Sequence, residues 1–185
     1  MMFGTIGVQS LKDLGTSRQG GGPKTMTFDE NNPATLDGII RRVFVGIDTA
    51  SHAISNVCVC SVTVHGYEYD IDGYWLLAAS IPAAPAQFYT FTRLQCPVKI
   101  GDCIGIYWEN GDWNTLPTAH YGDFGPGIWE ANNPSLTAKN DTFYGASHYY
   151  HMDAGGQIIP GVPSRNKGDI HIDQLMFQHT ERMQI

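Results

Sequence analysis

The sequence predicts an all-β fold, a jelly-roll type of antiparallel β-sandwich with an extended N-terminal arm. Short segments rich in β-branched and aromatic residues recur about every 8–12 residues, the strand spacing of a sandwich. The 185 residues include 21 Gly and 10 Pro, enough to supply the turns between such strands. No segment shows apolar residues at helical spacing. We therefore assign residues 1–36 to the arm and residues 37–185 to the sandwich domain.

The arm has no strand pattern and contains the glycine-rich stretch Gly15–Lys24. That stretch has too little apolar surface to offset the entropy lost on ordering. The arm is therefore either a flexible tail or a segment that becomes ordered against a neighbouring subunit. In the second case its apolar residues would anchor it: Phe3, Ile6, Val8, Leu11 and Leu14.

The first half of the sandwich domain contains three predicted strands. Gly38–Ile47 is the first. Asn56–His65 is the second, and it is predicted to be central because it is apolar on both faces. Tyr67–Asp72 is interpreted as a polar turn and Gly73–Ala78 as the third strand. Ile81–Ala86 is predicted to be a loop, since its two prolines cannot donate to a sheet ladder.

The hydrophobic centre of the chain is the stretch Gln87–Trp108, which predicts a strand, a tight turn and a second strand. Phe88–Leu94 is aromatic and Thr-rich, as suits a half-buried strand. Gly101–Asp102 marks the turn, so the two strands are expected to form a hairpin. Large apolar side chains alternate along the second strand and give it one apolar face: Ile104, Ile106 and Trp108.

Beyond Trp108 the strand pattern is weaker. Glu109–Gly127 is predicted to be a long loop, and loops of that length are usually functional or contact-forming. Short strands are predicted at Gly127–Glu130 and from Thr142 onward. Gly155–Lys167 is interpreted as a loop because of its glycines and prolines, and Asp169–Phe177 as the last strand.

The charge pattern argues against two classes of partner. The formal net charge is −7, only 16% of the residues are charged, and the longest basic run is Arg41–Arg42. Nucleic-acid binding requires a basic face, so no nucleic-acid partner is expected. No apolar run approaches the ~18 residues of a membrane-spanning helix, so no membrane partner is expected. No phosphate-binding glycine loop is present, and no cofactor is expected.

The four cysteines are interpreted as free, buried thiols, as in a protein assembled in a reducing cytosol. Cys58 and Cys60 lie two residues apart on a predicted strand, so they share a face and are poorly placed to bond each other. Cys96 and Cys103 flank the predicted turn and are expected to approach across it. A zinc site formed by all four thiolates is the alternative, although the spacing departs from the usual knuckles.

Three carboxylates share a face if Glu68–Asp72 is extended: Glu68, Asp70 and Asp72. A solvated acidic turn is the favoured interpretation. A calcium site is the first alternative, because carboxylate oxygens are the ligands that calcium prefers. A glycoside hydrolase is the remote alternative, with Glu68 and Asp70 as nucleophile and acid.

A second group of possible metal ligands combines histidines and aspartates near the C-terminus. The predicted last strand places Asp169, His171 and Asp173 on one face. A metal site would need His148 or His151 alongside them. A polar outer face or a subunit contact is the favoured interpretation. No arrangement typical of nucleophilic catalysis is present, so no catalytic residue is assigned.

Aromatic residues around the 109–129 loop form the candidate ligand-binding platform. Stacking rings with nearby hydrogen-bonding groups are typical of sugar sites, but the same composition is typical of protein–protein contacts. Plain local packing is the third interpretation. The residues of this candidate platform are Trp108, Trp113, Tyr121, Phe124, Trp129, Asp112 and Asp123.

Several motifs resemble those of a loosely defined family of β-sandwich proteins from phages and viral metagenomes. They are Asn32–Ile40, Phe91–Leu94, the Val98–Trp108 pattern V-x-x-G-D-x-I-G-I-Y, Gly125–Trp129 and Thr142–Gly145. They lie within residues 31–150 and consist of turn glycines and apolar core positions. The resemblance therefore bears on the fold more than on an activity.

This resemblance implies a non-enzymatic structural protein of the virion, either a capsid decoration protein or a fibre or tail component. It implies assembly in the host cytoplasm into a homo-oligomer, a trimer or higher, in contact with other virion proteins. Similar sandwiches serve as carbohydrate-binding modules, so glycan binding through the aromatic platform is the alternative function.

Overall fold

The structure is a computed structural model that describes residues 3–9, 24–47, 52–110, 119–121, 127–143 and 149–161. These residues form strands and no helix. The first six strands are β1 (Gly4–Gly7), β2 (Thr25–Asp29), β3 (Gly38–Ile47), β4 (Ile54–His65), β5 (Glu68–Ile81) and β6 (Gln87–Val98). The others are β7 (Cys103–Trp108), β8 (Ala119–Tyr121), β9 (Ile128–Asn132), β10 (Asp141–Thr142), β11 (Tyr149–Met152) and β12 (Ala154–Pro160).

Two antiparallel sheets form a sandwich. The smaller sheet has the order β1-β12-β3-β6, and the larger has the order β10-β5-β4-β7-β2-β9. If β1 to β7 and β12 are counted as the eight principal strands, these orders become 1-8-3-6 and 2-7-4-5. That is the double Greek key of a jelly roll, so the predicted fold class is confirmed. Strands β8 and β11 form a separate two-stranded sheet.

The main core lies between the two sheets, and the alternating residues of β7 contribute to it. Ile104, Ile106 and Trp108 are at most 1% exposed and belong to this core, as their alternation predicted. The intervening residues of β7 face the opposite way. They join a second apolar cluster on the outer face of the larger sheet, which includes Met26, Phe28, Cys58, Cys60, Tyr69, Cys103, Tyr107 and Phe143.

The prediction of an irregular arm is wrong for two of its segments. β1 is the edge strand of the smaller sheet, and β2 lies inside the larger sheet between β7 and β9. Ile6 is 1% exposed and packs in the protein's own core, so it is not an anchor for a neighbouring subunit. Phe3 is exposed and Val8 is half-buried. The other two proposed anchors, Leu11 and Leu14, lie outside the described residues.

The predicted hairpin of β6 and β7 is also wrong, because the two strands belong to different sheets. β6 pairs with β3, whereas β7 pairs with β4 and β2. A strand that is buried on both faces is most stable inside a sheet, and β7 meets that condition along its whole length. The turn at Gly101–Asp102 therefore carries the chain from one sheet to the other. All four cysteines are buried and free, which confirms the interpretation as free thiols.

Two predicted loop segments are strands instead. The predicted polar turn Tyr67–Asp72 is mostly part of β5, and the predicted loop from Gly155 contains β12. Gly155 is needed there for close approach, because a Cβ at this position would lie 1.8 Å from the carbonyl oxygen of Val8. The predicted strand Asp169–Phe177 lies outside the described residues.

Candidate functional site

The most distinctive surface lies along one side of the sandwich, where β5 and β6 are neighbouring edges of the two sheets. Among the described residues, β6 pairs only with β3. In the same described part of the chain, β5 pairs with β4, and its other side is paired only at Glu68 and Tyr69, with β10. The two edges approach each other at Gly73, where a Cβ would lie 2.9 Å from the carbonyl oxygen of Pro97.

We call the uncharged part of this side the open edge. It comprises Gly73–Ser80 of β5 and Gln87–Thr92 of β6, which are joined by the short loop 82–86. No Asp, Glu, Lys or Arg occurs anywhere between Gly73 and Thr92. Sheet edges in soluble proteins are usually protected by charged side chains, prolines or bulges. The two strand segments of the open edge contain neither charge nor proline, and β5 has one shift of register there, between Leu76 and Ala78.

Large apolar side chains are exposed on both strands of the open edge. Tyr74 is 42% exposed, Leu76 47% and Phe88 48%. Tyr74 and Leu76 lie beside Cys60 and Cys58 on the outer face of the larger sheet, and Phe88 lies beside Gly46 on the smaller one. Apolar side chains are therefore exposed on the outer face of each sheet along this side, and exposed apolar groups that cluster at a surface are typical of contact surfaces.

The inward-facing residues of the open edge close the core only in part. They are half-buried against the main core, and they are Trp75, Leu77, Tyr89 and Phe91. The rings of Tyr89 and Phe91 are stacked, with centroids 6.3 Å apart and an interplanar angle of 11°. Both faces of the open edge are therefore apolar.

The predicted carboxylate cluster is held by a lysine rather than arranged around an open site. Lys139 Nζ lies 2.6 Å from Asp72 Oδ1 and 3.7 Å from Asp70 Oδ2. The amide of Asn140 donates to Asp70 Oδ1 at 2.7 Å. These contacts hold residues 133–143 against the outer face of the larger sheet, where Ala138 and Phe143 cover the second apolar cluster.

A threonine hydroxyl joins Asp72 to a buried carboxyl. Thr63 Oγ1 lies 2.5 Å from Asp72 Oδ2 and 3.0 Å from Asp102 Oδ1. Because a hydroxyl has one hydrogen, it can donate to only one of the two carboxyls at a time. Burial raises the pKa of Asp102, although hydrogen bonds from the Lys99 amide and Thr63 oppose the rise. Of the two carboxyls, Asp102 is therefore the one that takes up a proton more readily.

Asp72 has the opposite tendency, and the two carboxyls therefore have different roles. Desolvation alone would raise the pKa of Asp72, but hydrogen bonds from Lys139 and Thr63 lower it below the ordinary value. Asp72 is thus held as the ionised partner of Lys139. Both carboxyls are thus engaged in contacts that hold the junction of three segments together.

No metal centre is apparent among the described residues. None of their His, Cys, Asp and Glu side chains form a group of three that could hold an ion. Glu68 is exposed at the start of β5, and His65 Nε2 lies 3.7 Å from Asp70 Oδ2. His151 belongs to β11, and its side chain is not described. The remaining candidates lie outside the described ranges: His148, Asp169, His171 and Asp173.

Two members of the predicted aromatic platform are used in packing. Trp108 is 1% exposed in the main core, so its inclusion in a stacking surface is wrong. Trp129 is half-buried, its Nε1 donates to Glu30 Oε2 at 2.7 Å, and its ring lies 4.9 Å from that of Phe143. Tyr121 lies in β8, whose side chains are not described. Four members lie outside the described ranges: Asp112, Trp113, Asp123 and Phe124.

The thiols have the chemistry of core residues. Burial raises the pKa of Cys58 to about 11 and that of Cys103 to about 12, and it also raises the pKa values of Cys60 and Cys96. A thiol is nucleophilic only as the thiolate, so these cysteines are unreactive at neutral pH.

Comparisons with known proteins do not assign the open edge a role. No family model matches the chain, and no curated protein is significantly similar to it. Within the described residues, no helix is long and apolar enough to cross a membrane. The open edge must therefore be interpreted from its own chemistry.

Proposed function

We propose that this protein is a non-enzymatic structural protein that acts by assembling with other copies of itself. The observation that carries the proposal is the open edge, a long strand edge with exposed apolar side chains and no charge between Gly73 and Thr92. An unprotected edge of this kind is a site of association or aggregation. In an assembled protein the same surface is covered.

The charge distribution permits another copy of this chain as the partner. Each copy has a formal net charge of −7, so two copies repel each other over most approaches. The repulsion is smallest where the surfaces that meet carry no charge. The cores of protein–protein interfaces are depleted of charged residues and enriched in aromatic ones, as the open edge is.

The setting that we propose for this assembly is the virion, as the motif resemblance implies. The protein would be a capsid decoration protein or a fibre or tail component that is assembled in the host cytoplasm. Its partners would be its own copies, in a trimer or higher oligomer, and neighbouring virion proteins. The raised pKa values of the buried thiols support a structural rather than a catalytic role.

The test is the molar mass of the full-length protein, measured by sedimentation over a range of concentrations. The wild type is expected to be oligomeric, and Leu76→Lys is expected to weaken association at least tenfold because it places a charge in the contact. Ile100→Lys is the matched control, because Ile100 is 66% exposed in the turn before β7 and lies outside the open edge. A wild type that is monomeric at every concentration would contradict the proposal.

A further inference from the structure

We infer that the open edge binds the same edge of a second copy around a two-fold axis, so that both sheets continue from one copy into the other. This inference rests on the proposed function and adds to it the contact surface and its symmetry. β5 of one copy would pair with β5 of its partner. β6 would face β6 of the partner in the other layer.

The topology permits both contacts at once. A two-fold axis perpendicular to a sheet reverses the strand direction, so an edge strand meets its own copy in the antiparallel orientation. β6 is the edge of the smaller sheet, β5 is the edge of the larger sheet beyond the two residues paired with β10, and the two strands lie on the same side of the sandwich. One axis therefore serves both layers. The interface closes on itself, as contacts between identical surfaces do.

The backbone of β5 is suited to such pairing. Its register with β4 runs from Glu68 to Ile81 with two irregularities, so one side of the strand is already ordered. In an antiparallel strand, the N–H and C=O groups of alternate residues point to the opposite side. Along Gly73–Ser80 no strand among the described residues pairs with those groups, and pairing with a sheet edge is a common mode of recognition.

The side chains favour a copy of this chain over a charged partner. Near a two-fold axis each residue lies close to its own copy, so any charged residue would face a like charge. Gly73–Ser80 contains none. Leu76 would pack on the outer face of the joined sheet. Trp75 and Leu77 would become part of a core shared by the two copies, beside the stacked rings of β6.

Disulfide trapping in the full-length protein tests this arrangement. Tyr74→Cys and Leu76→Cys place single thiols along β5 on the outer face of the larger sheet, beside Cys60 and Cys58. Directly opposed residues of antiparallel strands have Cα atoms about 4.5–5.5 Å apart, which is within the reach of a disulfide. At least one variant is expected to form a covalent dimer under mild oxidation. Ile100→Cys is the control, and it is expected to remain uncrosslinked.

The outcomes separate this inference from the proposed function. Covalent dimers at β5 but not at Ile100 support both. An oligomer that forms no β5 crosslink, and that Leu76→Lys leaves intact, overturns the two-fold edge contact while assembly stands. A wild-type monomer at every concentration overturns both. A monomer that Leu76→Lys destabilises would show that the chain's own residues 162–185, or another part of it, cover the edge, which also overturns the inference.

Discussion

Replacing Thr63 with Val is expected to destabilise the protein by about 3 kcal/mol, because the hydroxyl links two carboxyl groups. Val has the same shape as Thr and removes only the hydrogen-bonding group. The change leaves Asp102 Oδ1 without its 3.0 Å partner and Asp72 Oδ2 without its 2.5 Å partner. Asp102 is 3% exposed, so water cannot readily replace the lost contact.

The magnitude follows from the different surroundings of the two carboxyls. A buried polar group that is left unsatisfied costs about 1–3 kcal/mol, and the upper part of that range applies to Asp102. Asp72 lies on the surface and keeps its contact with Lys139 Nζ at 2.6 Å. The loss of its hydrogen bond from Thr63 therefore adds about 1 kcal/mol or less. In a domain of this size, 3 kcal/mol lowers Tm by roughly 6–12 °C.

Urea denaturation, followed by Trp fluorescence, measures the difference in the free energy of unfolding between variant and wild type. The protein concentration is kept fixed, because assembly makes apparent stability depend on concentration. Thr63→Ser is the control. It keeps the hydroxyl and loses one methyl group, so it is expected to cost about 1 kcal/mol. If Thr63→Val were no more destabilising than Thr63→Ser, the hydroxyl would not link the carboxyls as described.

Three further predictions concern other parts of the fold. Asp102→Asn removes the carboxyl whose pKa is raised by burial. Because that raised pKa makes the contribution of Asp102 to wild-type stability fall as pH rises from about 3.8 through the folded-state pKa, the stability of the variant relative to wild type should increase over the same rise in pH in urea titrations. A pH dependence equal to that of wild type would argue against a raised pKa of Asp102. Gly155→Ala should unfold far more easily than Gly161→Ala in thermal melts, since the added Cβ would lie 1.8 Å from Val8 O in the first case and 3.8 Å from Ile39 Cγ1 in the second. The four thiols should resist iodoacetamide in the folded protein and react after unfolding, as mass spectrometry would detect; rapid labelling of Cys58 in the native state would contradict its burial.

The sequence predicted the long strands because their side-chain pattern is local. β3 has the predicted bounds, and β4 differs from the prediction only at its start. The polar start of β5 was misinterpreted because carboxylates are rare in strands. Their charge is balanced by Lys139, far away in the sequence, so no local pattern reveals it.

The short strands and the sheet order depend on contacts that the sequence does not encode locally. β1 and β2 have only a few residues each, and each is stable because it completes a sheet built by distant segments. The turn at Gly101–Asp102 is typical of a hairpin, yet it joins two sheets because β7 is buried on both faces. Packing, rather than the turn residues, determines which strands pair.

The candidate site was only partly predictable. The absence of charge from Gly73 to Thr92 can be read directly from the sequence. The sequence does not show that the two strands are neighbouring sheet edges, because their position follows from the jelly-roll order of the strands. Trp108 was assigned both to a core face and to a stacking platform, and its burial decides for the core.

The proposal that the open edge is a contact surface between copies is best tested by amide hydrogen exchange along Gly73–Ser80. These amides are expected to exchange slowly at high protein concentration and faster on dilution, because the outward-facing N–H groups of β5 would be covered only in the assembly. The amides of β7, which lie inside the larger sheet, serve as the reference and should not change with concentration. Fast exchange along Gly73–Ser80 at every concentration would contradict the account.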